Sequence, residues 1–185
     1  MSLTDILKQR REAILKRWHD LVLKTYPPDT ARFLQREKDQ FANPVGAAIS
    51  RALDGLYSAL VRGDAPDEAA ASFDHIVRIR AVQEFAPSEA VYFMFQLKTA
   101  IREELARDIR ASRASAEEMT ELERRIDDFA LFSFDLYMKC REKIYELQAN
   151  EVRKRAISLL ERSNLVSRTS DSTDEDEGTK KRGNG

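Results

Sequence analysis

From residue 88 to residue 177 the chain contains neither glycine nor proline. Upstream there are only three glycines (Gly46, Gly55, Gly63) and five prolines (Pro27, Pro28, Pro44, Pro66, Pro87). Tight turns draw on these two residues, glycine for positive φ and proline for its fixed φ. A many-stranded sheet would need more of them than this, so an all-α fold is expected. A glycine-rich phosphate loop is excluded on the same ground.

The hydrophobic share of 42% over 185 residues is enough to bury a core, so the chain as a whole is not disordered. Basic and acidic residues nearly balance, with a net charge of -1. The helical part is therefore electrostatically even, and neither nucleic acid nor an anionic membrane is expected as a partner. Arg10, Arg11, Lys16 and Arg17 read as one solvated face. No window approaches the length of an apolar membrane span. The charged start MSLTDILKQRREAILKRW lacks the apolar stretch of a secretory leader. A single cysteine, Cys140, cannot close a disulfide within the chain; together these features fit a reducing cytoplasm.

Periodicity and caps divide the chain. Leu3, Leu7, Ile14, Trp18, Leu21 and Val22 recur at helical spacing and predict a helix over 3–24, stopped at Tyr26-Pro27-Pro28. A short helix over 29–37 would turn Phe33 and Leu34 inward. Asn43-Pro44 reads as a cap followed by a first-turn proline, and Gly63 as a left-handed terminus. Further helices are expected over 66–85 and 87–110. Ser115-Ala-Glu-Glu118 matches a capping box and opens a final helix over about 116–163. Residues 1–166 thus form one helical domain, and 167–185 a polar tail expected to be disordered.

The final helix repeats Met119, Leu122, Ile126, Phe129, Ser133, Leu136 and Cys140 in steps of three and four. Ile144 continues the row after a stutter. Such a seam suits a partner helix or a second chain, or else the body of the domain itself. Two clusters, Val91-Tyr-Phe-Met-Phe95 and Phe129–Tyr137, are apolar around most of their helices. One face of each can fill a core and the other needs cover. Tyr92, Phe95, Phe132, Leu136, Cys140 and Ile144 are accordingly predicted to line a homodimer interface, with a hydrophobic ligand pocket as the alternative.

Candidate chemistry is sparse. The two histidines, His19 and His75, belong to no metal-ligand spacing, so no metal site is predicted. No serine elbow or phosphate-binding motif occurs, Cys140 sits in an apolar seam, and no residue is nominated as catalytic. The most unusual segment is His75-Ile-Val-Arg-Ile-Arg-Ala-Val-Gln83. On a helical wheel Arg80 falls in the middle of the face formed by Phe73, Ile76 and Val77. A guanidinium there needs a carboxylate, a carbonyl, a ligand anion or a way out to water. Arg80, Gln83 and His75 are the candidate ligand-binding residues, an internal contact of Arg80 being the plainer reading. No cofactor is called for, although one histidine could serve as an axial haem ligand in the ligand-sensing alternative.

Asn43-Pro-Val-Gly46, Arg78-Ile-Arg-Ala-Val-Gln83, Pro87-Ser88 with Ala90, Leu97-Lys98 with Ile101-Arg102, and Glu104-Leu105 together resemble the N-terminal domain of RsbRD-type proteins, relatives of the RsbT co-antagonists. The resemblance runs from about residue 3 to residue 160. It implies a bacterial signal-input domain of stress regulation, with a globin-like fold that holds no haem, a dimer built on helices 87–110 and 116–163, and a long helix leading to an output domain. Longer members continue into that output domain, whereas this chain runs into its polar tail. A regulator acting on a separate partner through its last helix, or a segment of a longer protein, is therefore expected.

Overall fold

A computed structural model of the chain describes residues 2–36, 39, 41–111 and 115–174, with side chains of the last helix described to Arg162. Every regular element among them is helical: α1 (Leu3–Gln9), α2 (Arg11–Leu23), α3 (Pro28–Arg36), α4 (Pro44–Arg62), a 3-10 turn (Pro66–Ala69), α5 (Ala70–Val82), α6 (Pro87–Glu104), α7 (Ala106–Arg110) and α8 (Ala116–Asp174). The chain divides into two units, residues 1–141 and 142–185, with the boundary inside α8.

Local chemistry sets the helix ends. Ser2 and Asp5 exchange the two bonds of a capping box, the Ser2 Oγ accepting from the Asp5 amide at 3.2 Å and the Ser2 amide donating to Asp5 Oδ2 at 3.0 Å. Asn43 opens α4 by accepting from the Gly46 amide at 2.8 Å, while its Nδ2 donates to the Leu34 carbonyl at 3.1 Å. One buried side chain therefore starts α4 and holds the end of α3. Gly63 closes α4 at φ 93°, a conformation that costs a side chain about 1–2 kcal/mol. Ser115 and Glu118 form the capping box of α8, and the second Glu118 oxygen accepts from the Leu3 amide at 3.1 Å. The start of α8 is thereby tied to the start of α1.

Within the first unit, α2 packs chiefly on α6 and α4 on α5. Gly55 permits the second of these approaches, since a Cβ there would lie 2.2 Å from Ser72 Oγ. Trp18 is fully buried between α2 and α6, stacked on Phe93 and donating Nε1–H to the Phe93 carbonyl at 2.6 Å. The Tyr57 hydroxyl donates to the Leu7 carbonyl at 2.9 Å, binding α4 to α1. Phe73 of α5 meets Phe129 and Phe132 of α8 at ring distances of 5.4 and 5.3 Å. Leu122, Ile126, Phe129 and Ser133 are buried in the same region. Polar links finish the shell: Arg11 with Asp54, Arg17 with Glu103, and Arg10 with Asp108 at 3.6 Å.

Several expected boundaries shift. The helix expected over 3–24 is broken at Arg10, and the one over 87–110 at Leu105, each by a single residue near φ -93°. The segment 66–85 is a 3-10 turn followed by an α-helix that ends at Val82. Leu34 faces inward, but Phe33 is 53% exposed. The last helix reaches Asp174, into the segment expected to be disordered; the rest of that tail, 175–185, lies outside the described residues.

Candidate functional site

The site grows from the end of α5. Its last residues form a two-bond terminus: the Glu84 amide donates to the Ala81 carbonyl at 3.3 Å and the Phe85 amide to the Arg80 carbonyl at 3.2 Å. The residue that must then be left-handed is glycine in most such termini. Here it is Glu84, at φ 59°, the one non-glycine positive φ among the described residues. The turn brings Phe85 back over α5 and sends the chain into α6 at Pro87.

Arg80 lies beneath this turn with no exposed surface. One Nη donates to the Glu89 carbonyl at 2.8 Å, with a longer approach to the Ala90 carbonyl at 3.5 Å; the other donates to Thr25 Oγ1 at 3.2 Å. The guanidinium stands 5.0 Å from the Phe85 ring centre, 5.4 Å from Phe93 and 5.8 Å from Tyr26. No carboxylate forms an ion pair with it among the described residues, and its Nε–H is buried without an acceptor. The Tyr26 hydroxyl, buried without a hydrogen bond of ordinary geometry, interacts electrostatically with the guanidinium. Burial presses the Arg80 pKa downward and the Tyr26 pKa upward. Arginine nevertheless keeps its proton in proteins. Desolvating such an ion costs several kcal/mol. Three aromatic faces at about 0.5–2 kcal/mol each and the hydrogen bonds to neutral acceptors offset that cost.

Directly against Arg80 lies a cavity of about 330 Å³ lined by Thr25, Phe85, Ser88, Glu89 and Tyr92. Three of these five also touch the guanidinium, which therefore sits just behind the wall. The cavity also meets the start of α6, whose cap residue Ala86 offers no side-chain acceptor. Glu89 bends back to accept from the Ala86 amide at 3.1 Å, so its charge reaches the guanidinium through space and not as an ion pair.

Of the three residues nominated as a ligand site, only Arg80 is here. Gln83 is exposed at the end of α5, and the exposed His75 turns its Nδ1 to the Ala71 carbonyl at 2.7 Å. His19 meets Ser50 Oγ at 3.1 Å, and burial holds its pKa below the ordinary value. Thr25, Phe85 and Ser88 were not nominated. The signal for Phe85 and Ser88 is the short interval between Arg80 and Pro87-Ser88, which allows only a tight turn back over α5, whereas Thr25 arrives from the end of α2 with no local signal. No cluster of three or more metal-ligating side chains forms among the described residues. Cys140 is half-buried, and desolvation pushes its thiol pKa up, away from thiolate chemistry.

A second feature lies on α6 and α8. Lys98 pairs with Asp127 at 2.6 Å and Arg102 with Glu123 at 2.7 Å, which fixes an antiparallel register. Continued toward the start of α6, this register sets Phe95 beside Leu131 and Tyr92 beside Phe134. All four are exposed, as is Met138 one turn on. Of the predicted interface, Tyr92 and Phe95 belong to this strip. Phe132 instead turns to Phe73, and Leu136 and Cys140 are half-buried. The seam that predicted them faces the core of its own unit as far as Ser133. In the second unit Ile144 is half-buried, whereas Tyr145, Leu147, Val152, Ile157, Leu159 and Leu160 are exposed. No helix of the described residues is long and apolar enough to cross a membrane.

Comparison with known proteins gives one family. The model of the RsbT co-antagonist protein rsbRD N-terminal domain matches residues 12–152. A relative from Archaeoglobus fulgidus, described only as an uncharacterized protein, is 27% identical over 146 residues, covering 76% of this chain and 83% of the relative. No solved structure matches the chain.

Proposed function

The chain belongs to the family of RsbT co-antagonist protein rsbRD N-terminal domains, and from that premise we propose that it is a non-enzymatic sensory domain that signals through contacts with a second copy and with a partner protein. Family membership supports the sensory role, in the manner of stress-signalling regulators. The observation that carries the contact half is the exposed strip Tyr92, Phe95, Leu131, Phe134 and Met138. Five large apolar side chains side by side on two paired helices are costly to leave in water, and such patches mark association surfaces. A two-fold pairing would set the strip against itself, as closed homodimers do. The exposed apolar residues of α8 beyond residue 142 suit a partner helix. A globin-like arrangement of the first unit, without haem, and a cytoplasmic setting complete the reading.

Sedimentation of the full chain tests it. A dimer is expected at tens of micromolar, and Leu131→Glu should give a monomer with an unchanged helical spectrum. Wild-type chain that stays monomeric at that concentration would remove the dimer from the reading. For the partner, Leu159→Glu with Leu160→Glu should release whatever the intact last helix retains and leave the dimer in place.

A further inference from the structure

We propose that the cavity between Thr25, Phe85 and the first turns of α6 binds a small organic carboxylate with an apolar body, its charge met by Arg80. The proposal rests on the sensory reading only for its purpose, since it names what the domain would receive.

The observations converge on that chemistry. A fully buried guanidinium lies behind the cavity wall with its Nε–H unsatisfied and no carboxylate paired to it. Thr25 and the Glu89 carbonyl, which hold its two Nη groups, are themselves wall residues. The Thr25 hydroxyl also donates to the Val22 carbonyl at 2.7 Å, so a ligand oxygen that reaches the guanidinium takes the place of this hydroxyl. The start of α6 contributes Ser88 and Glu89 to the same wall, and helix N-termini favour anions. The Tyr26 ring centre lies 5.8 Å from the guanidinium carbon, and its buried hydroxyl, which has no acceptor, can donate to an oxygen bound there.

The rest of the wall chooses among anions. Phe85 and Tyr92 give it apolar faces, which suit a hydrocarbon body better than the hydrated shell of inorganic phosphate. The volume is at the small end of ligand pockets, about 300–1,000 Å³, so the body is about the size of one aromatic ring or a short branched chain. Glu89 also lines the cavity, and its carboxylate, bonded to the Ala86 amide, disfavours a dianion. A monocarboxylate fits all of these constraints.

The test uses the full chain and phenylacetate as probe, with phenylacetamide as its neutral isostere and inorganic phosphate as a bare anion. Binding is read by calorimetry and by the Arg80 Nε–H resonance. Phenylacetate is expected to bind at least tenfold more tightly than either control and to move that resonance. Arg80→Met should weaken phenylacetate at least tenfold. Ser88→Trp fills the cavity from an exposed position without touching the guanidinium and should abolish binding, which keeps the test decisive should Arg80→Met fail to fold. Equal binding of acid and amide, preference for phosphate, or no binding at millimolar phenylacetate would overturn the proposal. Sedimentation of the wild-type chain beside the titration separates the two readings: a wild-type monomer that binds phenylacetate sinks only the dimer, and a wild-type dimer that does not bind it sinks only the site.

Discussion

At the scale of single residues, Arg80 shows what a helical wheel can and cannot read. Its place amid Phe73, Ile76 and Val77 is visible from the spacing alone, because a helix that buries those three must bury the residue between them. What the guanidinium would meet was not visible, since Thr25, Phe85 and the Glu89 carbonyl arrive from other elements. His75 and Gln83 share the segment with Arg80 yet point elsewhere, because a few residues along a helix is a large rotation. A buried charge without an ion-pair partner is a poor stabiliser, and an apolar replacement of similar size is often neutral or better. Arg80→Met is therefore expected to leave unfolding free energy within about 1 kcal/mol of wild type, or to raise it, while ligand binding is lost. Urea denaturation checks this, and a loss of about 3 kcal/mol or more would mark Arg80 as a structural keystone instead. Glu84 beside it carries a second local cost. Its left-handed backbone disfavours any side chain. Glu84→Gly should raise stability by up to about 1 kcal/mol in the same assay, since part of the relief is returned as unfolded-chain entropy.

At the scale of elements, the helix starts and stops that depend on side-chain chemistry were legible, and those that depend on backbone alone were not. Asn43, Gly63, Pro87 and Ser115 each end or begin a helix where their chemistry predicts. The breaks at Arg10 and Leu105 carry no such mark. In each the hydrogen-bond ladder continues on both sides, as when the Arg10 amide donates to Ile6 and the Arg10 carbonyl accepts from Ile14. Any residue can take that conformation, so no residue type announces it. The seam of α8 gave a covered face without naming what covers it. Steps of three and four say that one side of a helix is covered, and Phe73 of the same chain covers it at Phe129. The two caps differ in a way that can be measured. Asn43 is buried and satisfies both the Gly46 amide and the Leu34 carbonyl, whereas Ser115 is exposed and water can replace it. Asn43→Ala is expected to cost about 2 kcal/mol and Ser115→Ala about 1 or less. Thermal unfolding of the pair checks the order, and equal losses would mean that burial adds nothing to the cap.

At the scale of the whole molecule, the carboxylate site and the association strip share one side chain. Tyr92 lines the cavity from α6 and is also half-exposed in the strip beside Phe134. A ligand against one side of its ring and a second chain against the other would each order the same two side-chain torsions. Whichever binds first meets the ordering cost, about 0.5–1.5 kcal/mol for one side chain, and the second is relieved of it. The sign of the coupling is therefore positive. Each phenylacetate site should be about fivefold tighter in the dimer, near the middle of that range, and by reciprocity saturation of both sites should tighten the dimer constant by the square of that factor. Calorimetry on wild type against the Leu131→Glu monomer measures the first, and sedimentation equilibrium with and without phenylacetate measures the second. Tyr92→Ala should abolish the coupling even where it leaves both binding events detectable, because the shared torsions are gone. A dimer constant that does not shift by the square of the per-site factor would show that something besides dimerisation changed. A dimer constant indifferent to phenylacetate would mean that the cavity and the strip are neighbours without being linked.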